Sequence, residues 1–103
     1  MKNIICALFA TILFCSCGGN KAANQICRFI EEATEKTEKA TTLNEIKTIN
    51  EKLTQNIAIY SLSLTEEEYN EWSNDPKANK KIQEAEFEYK TTKAAREKML
   101  TGK

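Results

Sequence analysis

The stretch LTEEEYNEWSNDPKANKKI, residues 64–82, decides the fold. Thr65 followed three residues later by Glu68 reads as a capping box. The threonine hydroxyl accepts from the Glu68 backbone N–H, and the glutamate carboxylate accepts from the backbone N–H of Thr65. Glu66 and Glu67 fall in the first turn, where the helix dipole favours negative charge. The helix so begun carries Tyr69 and Trp72 on one face and stops at Ser73-Asn74-Asp75-Pro76. Asp75 then caps a new helix, and Pro76 suits its first position, where no backbone donor is missed. Two starts and one stop this close together predict a short connecting helix between longer ones.

Outward from this stretch the apolar residues keep helical spacing. Downstream, Ala78, Ile82, Ala85, Tyr89 and Met99 recur at steps of three and four, with Thr92 and Arg96 between the last two and Phe87 off the stripe. Upstream, Leu43, Ile46, Ile49, Leu53, Ile57, Tyr60 and Leu64 form a second stripe, entered through another capping box, Thr42-Leu43-Asn44-Glu45. Ile26, Phe29, Ile30, Ala33 and Ala40 form a third, interrupted at Thr41-Thr42. Neither Gly nor Pro separates these last two stripes, so one long kinked helix is an alternative to two helices. The chain has no valine and is rich in Lys, Glu and Ala, which disfavours a sheet. The expected fold is all-α: a small helical hairpin or three-helix bundle over residues 24–103, with little room for a large core.

The N-terminus is of another kind. Met1-Lys2-Asn3 is basic, and residues 4–14 form an apolar run. At about eleven residues this run matches the apolar region of a signal peptide and falls short of the ~20 needed to span a bilayer. Ser16-Cys17-Gly18-Gly19-Asn20 follows. This pattern resembles the lipobox of bacterial lipoproteins, in particular small lipoproteins of the Bacteroides type. The likeness covers about the first twenty residues and none of the body. It implies a diacylglyceryl group on the Cys17 thiol, cleavage between Ser16 and Cys17, and acylation of the new amino group by a palmitate-like chain. Residues 1–16 would then be the signal peptide and residues 17–23 a lipidated flexible tether. Two or three acyl chains hold a protein firmly, because each buried CH₂ contributes about 0.8 kcal/mol. Gly18 stands where, by family analogy, an inner-membrane retention signal often carries Asp, which points to the outer membrane. Gly18, Gly19, Asn20 and Lys21 lack the acidic residues associated with surface display, which favours a periplasm-facing orientation over the cell surface. Lys2 is the one charged residue in the first sixteen, so its removal leaves a neutral chain one unit negative.

Little catalytic chemistry is legible. The chain has no histidine, so Cys27 lacks the usual base for a nucleophilic role. Beside Ile26 and Ile30, Cys27 reads as a small buried hydrophobe; the alternative is an intermolecular disulfide in an oxidising compartment. The acidic cluster at residues 66–75 lacks the alternation and central glycine of a calcium loop. Glu31, Glu32, Glu35 and Glu38 interleave with Lys36 and Lys39 as a solvated helix face. No phosphate-cradling loop, metal-ligand pair or nucleic-acid footprint appears. The expectation is therefore a non-enzyme with no metal and no cofactor beyond the covalent lipid. Tyr69, Trp72 and Phe87 are the candidate binding surface, although an aromatic pair three residues apart more often anchors a short helix. Two functions fit. One is an accessory protein that binds an envelope partner and can self-associate as a homo-oligomer. The other is a tether resembling Braun-type lipoprotein, joined to peptidoglycan through its C-terminal lysine, here Lys103. Pro76 and the two internal caps break the heptad repeat of that family.

Fatty-acid labelling of the chain in its native envelope is expected to mark the wild type and not Cys17→Ala. Equal label in both would place the acyl group elsewhere.

Overall fold

The structure, a computed structural model, describes residues 20–102. Cys17, the Ser16–Cys17 bond and Lys103 lie outside the described residues. Within them the chain forms α1 (Lys21–Lys39), α2 (Leu43–Ser63), α3 (Glu66–Ser73) and α4 (Pro76–Leu100). The fold is all-α, with four helices rather than the hairpin or three-helix bundle expected; α3 is the short connector.

Local chemistry sets every boundary. At the start of α2 the Thr42 hydroxyl accepts from the Glu45 N–H at 3.1 Å, while the Glu45 carboxylate accepts from the N–H groups of Thr41 and Thr42. The same reciprocal box opens α3 between Thr65 and Glu68. Asp75 Oδ1 accepts from the N–H groups of Lys77 and Ala78, both at 3.1 Å, and starts α4 with Pro76 in its first turn. Ala40 (ψ 141°) and Thr42 (ψ 156°) are both extended. The chain therefore turns between α1 and α2, and the single kinked helix does not form. The other departure is at the start of α1. Asn20 Oδ1 accepts from the Ala23 N–H at 3.1 Å, which begins the helix at Lys21 rather than Asn24. Lys21, Ala22 and Ala23, expected in the tether, belong to α1, and both alanines are buried.

Two long-range hydrogen bonds fix the helix directions. Asn20 Nδ2 donates to the Glu71 carbonyl at 3.2 Å, holding the end of α3 against the start of α1. Arg96 Nε donates to the Ala40 carbonyl at 2.8 Å, holding the end of α4 against the end of α1. So α1 and α4 run parallel, α2 returns antiparallel to both, and α3 crosses beside the N-terminal end of α1. α1 packs chiefly on α4 and then on α2, whereas α2 and α4 meet little. The result is an elongated slab of 47 × 27 × 15 Å.

The core follows α1. Ala23, Ile26, Cys27, Ile30 and Ala33 pack with Leu53 of α2 and with Ala78, Ile82, Ala85 and Tyr89 of α4. Phe29, Ile49, Ile57, Tyr60 and Trp72 lean on this cluster, half-buried. The Tyr89 hydroxyl donates to Asn50 Oδ1 at 2.9 Å and links α4 to α2 across the slab. Arg96 fills the gap in the α4 stripe with a hydrogen bond to a carbonyl that the end of α1 leaves without a helical partner.

Ile30 is almost wholly buried between these layers. Ile30→Ala is expected to destabilise the fold by about 2–5 kcal/mol, from lost burial and a residual cavity. Urea denaturation followed by circular dichroism checks this, with exposed Met99→Ala as a control expected to stay within about 0.5 kcal/mol of wild type.

Candidate functional site

The three aromatic residues singled out in the sequence do not converge. Tyr69 and Trp72 meet edge to face, with ring centroids 5.6 Å apart. Trp72 packs half-buried against the core, and its carbonyl accepts from Asn79 Nδ2 at 3.4 Å. Among the described residues its indole Nε1 is buried without a hydrogen-bond partner. Trp72 is thus the anchor of α3, and Tyr69, 50% exposed, is the accessible member of the pair. Phe87 is 73% exposed on α4. It lies two residues from both Ala85 and Tyr89, about 200° around the helix from each, and so turns away from the core they join. The aromatic candidates are two separate positions: one at the α3 end and one on the outer side of α4.

A groove of about 440 Å³ lies between α1 and α2. Phe29 and Ala33 line it from α1, Ile49 and Leu53 from α2, and Lys36, Lys39, Lys52, Glu32 and Glu45 border it. It arises from the spacing of two helices that share only part of their stripes, so no motif announces it. The Glu45 carboxylate is already committed to the α2 cap, and its hydrogen bonds from Thr41 and Thr42 hold it below the usual carboxylate range.

Glu31 corrects the reading of the acidic run as a solvated face. Its residue is 9% exposed on α1. Burial is the main cause that raises its carboxyl to about 7 from an ordinary 4.5. The Glu88 carboxylate on α4 and the neighbouring Glu32 push it the same way, while Arg28 opposes them. A helical wheel carries the missing signal: Glu31 stands four residues after Cys27 and three before Thr34, both buried, so it shares the edge of the core stripe. Cys27 itself is in the core cluster, as the small-hydrophobe reading expects. A disulfide to a second copy would require its thiol to leave that cluster.

Among the described residues no three Cys, Asp or Glu side chains are grouped to hold a metal ion, and no helix is long and apolar enough to cross a membrane. No protein family, curated protein or solved structure matches the chain.

Glu31 makes stability depend on pH with a definite sign. A carboxyl raised in the folded state binds its proton more tightly there than in the unfolded chain. The Glu31 contribution is then fully present below about pH 4.5 and is lost as pH rises through about 7. Glu31→Gln is expected to remove this decline and to stabilise the protein at pH 8 by on the order of 2 kcal/mol. Melting curves of both proteins from pH 5 to 8 check it; Glu45, depressed by its cap, titrates below that window and contributes the opposite slope.

Proposed function

We propose that the protein is an acyl-anchored envelope lipoprotein that works by binding a partner protein, with the outer membrane as its location and no chemistry of its own. The observation that carries the reading is the junction between the Ser16-Cys17-Gly18-Gly19 pattern and the Asn20 cap. The helical body takes its first cap bond three residues beyond the cysteine that the lipobox resemblance marks for acylation. An anchor followed at once by a folded helical body is the architecture of a presented surface. The lack of histidine leaves no conventional nucleophile–base pair for a reaction at that surface. Phe87, exposed on the outer side of α4, is the aromatic best placed to meet a partner, since aromatic side chains dominate binding hot spots.

The tether reading draws support from one feature. Because α1 and α4 are parallel, Asn20 and Gly102 sit at opposite ends of a slab 47 Å long. An acyl group before α1 and a peptidoglycan bond after α4 would load the molecule along its length.

Photo-crosslinking from position 87 in native membranes, paired with analysis of peptidoglycan digests, separates the two. The binding reading expects a discrete adduct that Phe87→Ala competes for poorly in unlabelled form, and no muropeptide bearing the C-terminal peptide. Muropeptides carrying that peptide, and losing it when Lys103 is deleted, would establish the tether instead.

A further inference from the structure

Resting on the anchor proposed above, the geometry leads to a contact of its own. We propose that the corner between α2 and α3, with Ile59, Leu62 and Tyr69 at its surface, rests in the headgroup region of the bilayer that holds the Cys17 acyl chains.

The first argument is reach. Three Cα–Cα steps separate Cys17 from the Asn20 cap, at most about 11 Å of chain. Lys21 is already in α1. The start of α1 therefore stays within that distance of the lipid glycerol, whatever path Gly18 and Gly19 take. A flexible tether through Ala23 would have allowed roughly twice the span; the early cap removes it.

The second argument is what the start of α1 brings with it. Asn20 Nδ2 donates to the Glu71 carbonyl at 3.2 Å, so the Glu71 end of α3 is held beside the cap and shares its short reach to the lipid. The last turn of α2 leads directly into α3 through Leu64 and Thr65. Tyr60 marks its level: its ring meets Phe29 with centroids 6.0 Å apart, and Phe29 is about 13 Å along α1 from the cap. Leu62, further down α2, lies closer still to α3.

The third argument is the surface. Leu62 is 86% exposed and Ile59 66% exposed, on the side of α2 away from its buried Ile46 and Leu53. Tyr69 is half-exposed on α3, with a hydroxyl that suits a wet headgroup layer. Apolar faces of interfacial helices sink about 5–10 Å into that layer, a depth the reach of the anchor permits. Charge does not select the lipid. Glu66, Glu67, Glu68 and Glu71 on α3, with Asp75 after it, outnumber by one the lysines Lys21, Lys77, Lys80 and Lys81 at the starts of α1 and α4, so nothing here draws in anionic lipid. The fitting surface is thus a largely zwitterionic one, entered by apolar side chains rather than drawn in by anionic lipid.

The test uses the acylated protein in phosphatidylcholine vesicles whose acyl chains carry bromine, a short-range quencher of tryptophan. Trp72 is the only tryptophan, so Leu62→Trp and Met99→Trp are each made in a Trp72→Phe background. Circular dichroism verifies folding. If Trp72→Phe does not fold, the same two substitutions are read as differences from wild type with Trp72 retained. Intact mass of the same samples reports the acyl group. The contact expects roughly twofold quenching at position 62 and almost none at position 99, at the far end of α4. Acylated protein with no quenching at 62, or equal quenching at both positions, overturns the contact and leaves the anchor standing. A probe at 62 that is shielded without quenching, increasingly so at high protein density, assigns the corner to a second copy and also overturns it. Protein without an acyl group overturns the anchor and the contact together.

Discussion

The structure depends on α1 being covered from two sides at once. Its residues Ala23, Ile26, Cys27, Ile30 and Ala33 are the common floor on which α2 and α4 separately rest. Since α2 and α4 barely meet, neither could hold the other in place without it. This constraint explains the slab shape. In a closed bundle each long helix packs fully on two others, whereas here only α1 does, α2 and α4 making slight contact. The radius of gyration, 14.5 Å, exceeds the roughly 12 Å of a compact domain the size of the described residues, in the direction an open, elongated layer requires. It also explains why the two end-to-end hydrogen bonds matter. Asn20 to Glu71 and Arg96 to Ala40 tie α1 to the α3–α4 arm at both ends.

A thin slab makes buried polar groups conspicuous. Among the described residues Thr37 Oγ1 is wholly buried and reaches only the Tyr89 hydroxyl, whose own proton goes to Asn50. A buried hydroxyl so poorly satisfied carries part of the about 1–3 kcal/mol that an orphaned one costs. Glu31 adds a second penalty at neutral pH, because burial and the facing Glu88 both oppose its charge. Thr34 shows the satisfied alternative on the same helix, its hydroxyl donating to the Ile30 carbonyl at 2.8 Å. Both penalties fall on α1, the most buried of the four helices described.

The boundaries of α2, α3 and α4 were legible in the sequence because each is written in a few adjacent residues. Thr42 with Glu45, Thr65 with Glu68, and Asp75 with Pro76 need no tertiary information to act. The start of α1 was obscured by Gly18 and Gly19, which made the following residues read as tether, although Asn20 is itself a capping residue. The stripes on α2 and α4 were legible as periodicity, but not the depth to which they would be buried. Leu43 begins the α2 stripe and is nonetheless exposed, since α1 has ended opposite it. Glu31 reads as solvated when charge is followed along the chain; only its place around the helix puts it at the edge of the core. The separation of Phe87 from Tyr69 and Trp72 depends on where α3 crosses, which no local pattern encodes.

The parallel course of α1 and α4 gives the molecule two chemically different ends. One end gathers the Asn20 cap, the whole of α3 and the last turn of α2. The other gathers the Ala40 turn, Arg96 and the C-terminal turn of α4. Antiparallel α1 and α4 would have placed both chain termini together, and an anchor and any surface near the C-terminus would then compete for the same space. With the observed topology an anchor before α1 leaves the far end and the outer side of α4 unobstructed. That asymmetry follows from α3. Eight residues long, it carries the chain from the bottom of α2 to the bottom of α4, so α4 climbs in the same sense as α1. The two capping sequences that bound α3 therefore determine which surfaces of the protein lie at the Asn20 end and which at the Arg96 end.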